Sequence, residues 1–359
     1  MLERGRKMHF QLSEEQIAIQ DALRGTLANV LPSSRLHEFI DGDSEFDQPS
    51  WQALMDLGFG GLILPEKYGG SDLALLDAAI AMEVAGEAGA PGPLLAQILA
   101  GLAISACDDE DLREQWLPGI ATGERRAALA FGKEWLPESW DVTEANGRIS
   151  GTVRFVQSGG ECDLYLVGLS GGRLAVVEYS DSVAVERVAS EDRTRRQSTL
   201  TFASEPATIL STDANRIFDA ALVLAAAEAL GGAQKITDMS VAYAKERDQF
   251  GQPIGQFQAL KHQLAQMALE VEPARALVWY AAYAFDEALE DAPRAAAIAK
   301  AHLADRFTSI GRAGVAAHGG IGYTWEYDLS IWYRRSLYNR AFLGSPAIHR
   351  ERAAKMAGW

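Results

Sequence analysis

Tyr243-Ala244-Lys245-Glu246-Arg247-Asp248-Gln249-Phe250-Gly251-Gln252-Pro253-Ile254, followed by Phe257-Gln258, is the stretch on which the reading of this chain turns. It closes an Ala-rich helical run that begins near Asp213, and Phe250-Gly251 is where that helix must stop. Arg247 stands just before the stop. A guanidinium there can grip a pyrophosphate through two parallel hydrogen bonds, which a lysine does not reproduce. Phe250 adds an apolar face, and Gln258 adds amide donors and an acceptor. The plainer alternative is that Arg247 only complements the negative end of the helix dipole. On spacing alone the plainer alternative wins.

Helical periodicity extends outward from this stretch over roughly 214–246, 257–288 and 292–318, with a last helix or two beyond 327. Between them lies Ala317-His318-Gly319-Gly320-Ile321-Gly322-Tyr323-Thr324. Its glycines let backbone come close to a phosphate or ribose, or else serve a helix-ending loop that needs positive φ. His318 is read as a structural, hydrogen-bonding residue. Upstream, Ala127–Phe131, Ile149–Val156, Leu164–Gly168, Leu174–Glu178, Val183–Val188 and Ser198–Phe202 are short β-prone runs parted by Gly, Asn, Asp and Ser. They predict a small antiparallel β domain.

The first part of the chain reads as helical again. Ser13 with Gln16 is a capping-box pattern, Leu12 with Ile17 a hydrophobic staple, and Ile17, Ile19, Leu23 and Leu27 share one side. A second helix runs from Trp51 to Gly58 and a third from Leu75 to Glu87, ahead of Gly89-Ala90-Pro91-Gly92-Pro93. Helices, a β block and helices make an α+β chain in three parts. The expected division is 1–123, 124–210 and 211–359, the last a four-helix-type bundle.

Composition narrows the function. The 359 residues are 48% apolar and carry a formal charge of −16, which argues against nucleic acid or an anionic membrane as the main partner. Cys107 and Cys162 are far apart and in no metal-ligand spacing, so a reducing, cytoplasmic setting and no metal are expected. No run of about 18 apolar residues marks a membrane span. Met1–Lys7 lacks the apolar core of a secretory signal and reads as a frayed start.

Three segments, in order, resemble the acyl-CoA dehydrogenase family. Gly58 to Gly70 is similar to its N-terminal "lG…lPe.yGG" connector. Gly151 to Asp163 matches its mid-domain strand and turn in position and partly in residues. Tyr243 to Gln258 looks like its "YxxxRxxFGxPIxxFQ", followed by the glycine segment at 319–322. The resemblance runs from Phe10 to about Ala354. It implies an N-terminal helical domain, a middle β domain and a C-terminal four-helix bundle in a dimer or dimer of dimers. It also implies FAD as cofactor and an acyl-CoA thioester as substrate, oxidised to the trans-2-enoyl-CoA.

The resemblance assigns Arg247, Gln249, Phe250, Gln258, Gly319 and Gly320 to the flavin held by a neighbouring subunit. Ala316 stands where the family usually has a glutamine. The flavin's own cradle departs further: Leu129 to Glu138, including Lys133 and Glu134, replaces the family's "LTEPxxGSD" loop, and Gln157 replaces a threonine. Trp135 is read as packing.

The catalytic base departs most. Removing an α-proton needs a carboxylate within hydrogen-bond reach, its pKa tuned by burial. The two positions where the family carries it fall on Leu343 and Ala221, and neither is acidic. Asp219 points about 160° away from Ala221 on a helix. Glu228 faces the same side as Ala221 about 10 Å further on. It reads either as a relocated base or, preferably, as a buried structural acid paired with an Arg or Lys of the bundle.

The resulting expectation is a subunit that completes the FAD site of a related acyl-CoA dehydrogenase chain in an α₂β₂ enzyme for steroid or other bulky acyl-CoAs, itself lacking a base. A self-sufficient homo-oligomer using Glu228, or a cofactor-free interaction protein, are the alternatives.

Overall fold

The computed structural model of the chain describes residues 11–132 and 135–359; Met1–Lys7 and Lys133-Glu134, both read above, lie outside the described residues. Among the described residues six helices come first: α1 Glu14–Val30, α2 Ser33–Asp41, α3 Gln48–Asp56, α4 Leu75–Ala88, α5 Leu94–Ser105 and α6 Glu110–Thr122. The capping box at Ser13 forms as expected. Its Oγ accepts from Gln16 N at 3.1 Å, and Gln16 Oε1 accepts from Ser13 N at 3.0 Å. Ile17 does not join the inward face of α1, being 47% exposed; Gln20, Leu23 and Leu27 are buried in its place. Helices α2, α5 and α6 escaped the periodicity. α5 is buried almost all round, and a helix apolar on every side shows no amphipathic period.

Eight strands follow: β1 Ala127–Ala130, β2 Thr143–Ala145, β3 Arg148–Gln157, β4 Leu164–Leu169, β5 Arg173–Glu178, β6 Ala184–Val188, β7 Gln197–Pro206 and β8 Thr208–Leu210. They form two four-stranded sheets, ordered β1-β4-β5-β8 and β2-β3-β7-β6. Every ladder within these sheets is antiparallel except β1–β4, whose strands run parallel because the chain detours through β2 and β3 between them. Strands β2 and β8, three residues each, are too short to show alternation. Val153, Val156, Tyr165, Val167, Leu200 and Phe202 meet in a shared core.

Then come α7 Ala214–Glu246, α8 Gln258–Asp286, α9 Ala292–His318, α10 Leu329–Ala341 and α11 Pro346–Met356. Helix α7 is the axis of the molecule, packed by α4, α8, α9 and α10. At its crossing with α4 neither helix has room for a Cβ. A methyl on Gly231 would overlap the Glu83 carbonyl, and one on Gly86 the Glu228 carbonyl. Backbone thus meets backbone, which seats the N-terminal helices on the bundle. By length and composition alone α7 would cross a membrane, but 94% of its apolar window is buried inside the fold, as a core helix requires.

Candidate functional site

Helix α7 ends one residue before Arg247, and the chain turns at once. Asp248-Gln249 pairs with Gln252-Pro253, leaving Phe250-Gly251 as a two-residue loop with φ of +54° and +81°. Two successive positive φ values are the pattern of a type I′ hairpin, and a phenylalanine adopts it at a cost. The result is a ring 92% exposed, edge-on to Phe257 at 6.0 Å. Tyr243, one turn before Arg247, stacks on His318 at 4.5 Å, and this ties the hairpin to the glycines that follow α9. The buried His318 is held by its Nδ1, which donates to the Gly314 carbonyl at 2.7 Å. Arg247, Gln249, Phe250, Gln258, Gly319 and Gly320 are all exposed. Among the described residues the Arg247 guanidinium has no ion pair, and a Cβ on Gly319 or Gly320 would touch nothing within 4 Å. A free guanidinium, a bare aromatic face and open backbone are groups that suit a pyrophosphate and an adjoining ring.

The chain's own cradle is built differently. Leu343 and Ala221, the positions to which the resemblance assigns the base, are completely buried hydrocarbon. Leu343 has a left-handed φ of +59°, and its carbonyl accepts from His349 Nε2 at 2.7 Å. The cradle segment then closes onto this turn. Trp135, itself at φ +67°, sets its ring edge against Phe342 at 5.3 Å, and its carbonyl accepts from Trp140 Nε1 at 2.8 Å. Phe131 lies between Trp140 at 4.6 Å and Phe218 at 6.4 Å, and Phe218 reaches His349 at 6.2 Å. Gln157, at the threonine position, donates its amide to the Gly92 carbonyl at 2.7 Å. Rings of the cradle segment thus pack on the turn that holds Leu343.

Glu228 is 3% exposed and is paired. Arg195 donates to its Oε1 at very close range, and Arg335 approaches the same oxygen at 3.5 Å. Arg335, fully buried, also lies 3.7 Å from Asp192 and donates to Thr194 Oγ1 at 2.5 Å and the Gly89 carbonyl at 2.9 Å. Arg195 donates to the Ala90 carbonyl at 2.9 Å. One buried network therefore joins the N-terminal helices, the loop before β7, α7 and α10. A carboxylate so held is not free to meet a substrate. Asp219 is likewise engaged, 2.7 Å from Arg352, and burial raises its pKa. The expected bundle cation is Arg335 of α10, and the second partner, Arg195, comes from outside the bundle, from the loop before β7. The one signal was Glu228 itself, an acid in an apolar helix that demands a cation.

Beneath the Leu343 turn, Lys300 is 1% exposed and donates to the Asn339 carbonyl at 2.7 Å. Burial pushes its pKa from 10.5 down to about 7. The folded state then binds fewer protons than the unfolded state between these values, so this residue's contribution is complete above about pH 10.5 and is lost as pH falls towards 7. Lys300→Met is expected to flatten that slope by a few kcal/mol across the window, measured by urea unfolding at each pH beside the parent. Equal slopes in both proteins would show that the amine stays charged in the fold.

The Acyl-CoA dehydrogenase, N-terminal domain, family model matches residues 13–124, and the C-terminal domain model matches 213–358. The chain is 31% identical to Acyl-CoA dehydrogenase IpdE2 of Mycobacterium tuberculosis over 93% of its own length and 94% of the relative's. A chain of the Tcur3481-Tcur3483 steroid ACAD superposes with a TM-score of 0.89 at 28% identity, covering 96% of this chain and 98% of the other. A chain of the ChsE4-ChsE5 complex from Mycobacterium tuberculosis shares the fold, with a TM-score of 0.87 at 21% identity over 98% and 99% of the two chains. With both terminal domains matched and the whole fold shared, the chain belongs to the acyl-CoA dehydrogenase family, oxidoreductases that act on the CH–CH bond of acyl-CoA with FAD.

Proposed function

We propose that this chain is the base-lacking subunit of a heteromeric acyl-CoA dehydrogenase and completes the FAD site of a related, base-bearing chain. The observation that carries this reading is the contact of the cradle with the base segment. Trp135 packs on Phe342, and the next residue, Leu343, offers hydrocarbon where a carboxylate is required. FAD, when bound in the assembly, supplies the hydride acceptor for α,β-dehydrogenation. The residues contributed here are Arg247, Gln249, Phe250 and Gln258, with the open backbone at Gly319-Gly320. Division into units at 1–123, 124–210 and 211–359 goes with this reading, the last unit presenting the flavin-facing surface. The name of the Tcur3481-Tcur3483 steroid ACAD supports a paired assembly and a steroid-type acyl group. Two unpaired cysteines support a reducing, cytoplasmic location.

Expressed alone, the chain is expected to carry little FAD and to oxidise acyl-CoA negligibly; co-expressed with a base-bearing relative, it enters a yellow, active complex. Visible absorbance per chain and dye-coupled turnover measure both. A yellow homo-oligomer with about one FAD per chain and turnover of about 1–10³ s⁻¹ would overturn the proposal.

A further inference from the structure

A cleft of about 320 Å³ opens between α1, the turn into α2, α4, α7 and α10. It shares no residue with the flavin-facing surface or with the Arg195–Glu228 network. Leu27, Leu36, Val84 and Trp332, each less than 5% exposed, form an apolar floor, and the Trp332 ring is fixed by its Nε1 donating to the Gly86 carbonyl at 3.0 Å. Each acid on the rim has a hydrogen-bond partner other than Lys235. Glu87 pairs with Arg24 at 3.0 Å, and Asp328 meets Ser33 Oγ at 2.7 Å and His37 Nε2 at 2.8 Å. Lys235 differs. It stands 5.4 Å from the Trp332 ring centroid and, among the described residues, faces no carboxylate at ion-pair distance.

A half-buried ammonium without a counter-ion beside a dry floor leaves one complement, an anion with an apolar body. Arg24, the other cation on the cleft, already pairs through its Nε with Glu87, so Lys235 is the charge left without a carboxylate, and one ammonium suits a singly charged group better than a phosphate dianion. The volume is that of about ten water molecules, at the small end of ligand pockets and too little for a whole CoA thioester. We propose that this cleft binds a short-chain carboxylate, its oxygens on Lys235 Nζ and its chain along Trp332, Leu27 and Leu36. The site is independent of the dehydrogenase reading and takes the free acid, not the thioester.

Isothermal titration of the full chain, in complex with its partner where the two purify together, tests this with hexanoate as the probe. One saturable site with a Kd of about 0.1–1 mM is expected. Lys235→Met should weaken it at least about tenfold, whereas Lys235→Arg, which keeps the charge, should stay within about threefold. Lys261→Met, an exposed lysine on α8, should change nothing, and hexan-1-ol should bind at least about tenfold more weakly than hexanoate. No saturation by about 10 mM hexanoate, equal affinity in Lys235→Met, or equal affinity for hexan-1-ol would each overturn the assignment.

Discussion

Glu228→Ala is expected to lower the stability of the chain by about 3–5 kcal/mol, the usual cost of removing one member of a buried ion pair. The loss would leave Arg195 and Arg335 facing each other with Asp192 as their remaining acid. Urea unfolding should show a lower midpoint at unchanged m. Glu228→Gln is the informative companion. Its amide oxygen still accepts from Arg195, so in the assembled enzyme turnover should stay within a few-fold while the melting temperature drops. A general base replaced by an amide behaves otherwise: turnover falls by about 10²–10⁴ with substrate binding intact. That outcome, with an unchanged melting temperature, would defeat the silent-subunit reading and make Glu228 the base.

Arg247→Ala should weaken flavin retention in the assembled enzyme by about tenfold to a hundredfold, the worth of a lost charge-assisted pair of about 1.5–3 kcal/mol. The substitution lies outside the chain that holds the base, so an effect on its flavin is specific to the proposed division of labour. Arg247 is exposed and, among the described residues, makes no ion pair, so the stability of the isolated chain should not move. Equilibrium dialysis of the complex against FAD, beside a melting curve of the chain alone, separates the two quantities. Unchanged FAD affinity would reduce Arg247 to a helix-end cation.

What could be read in advance follows from how local each signal is. Helix α7 was legible at roughly 214–246 because its Ala-rich composition holds for 33 positions. The Ser13 capping box was equally legible, since both its hydrogen bonds close within three residues. The Phe250 hairpin was not. Its turn carries Phe-Gly where the strongest signal is Asn-Gly, so the sequence indicated only a helix stop. The identity of Glu228's partners, Arg195 and Arg335, was hidden for a different reason. A guanidinium among other arginines looks solvated until the tertiary fold brings Glu228, Gly89 and Ala90 to it. The carboxylate-free positions 343 and 221 could be read from residue identity. The closure of Trp135 on Phe342 could not, because it joins segments two hundred residues apart.

The length of α7 has a mechanical consequence. Ala221 and Arg247 are 26 positions apart along one rod and its first residue beyond, about 39 Å at the helical rise. Near one end Phe218 meets Phe131 of the cradle segment, and just past the other stands the exposed Arg247. Between them Gly231 and Gly86 clamp the rod against α4 with no side chain to act as a cushion. With α8, α9 and α10 packed on it as well, the rod is held along its length and keeps its two ends at a fixed separation. In the proposed assembly that fixed length, rather than a movable loop, sets where Arg247 stands relative to the turn at Leu343.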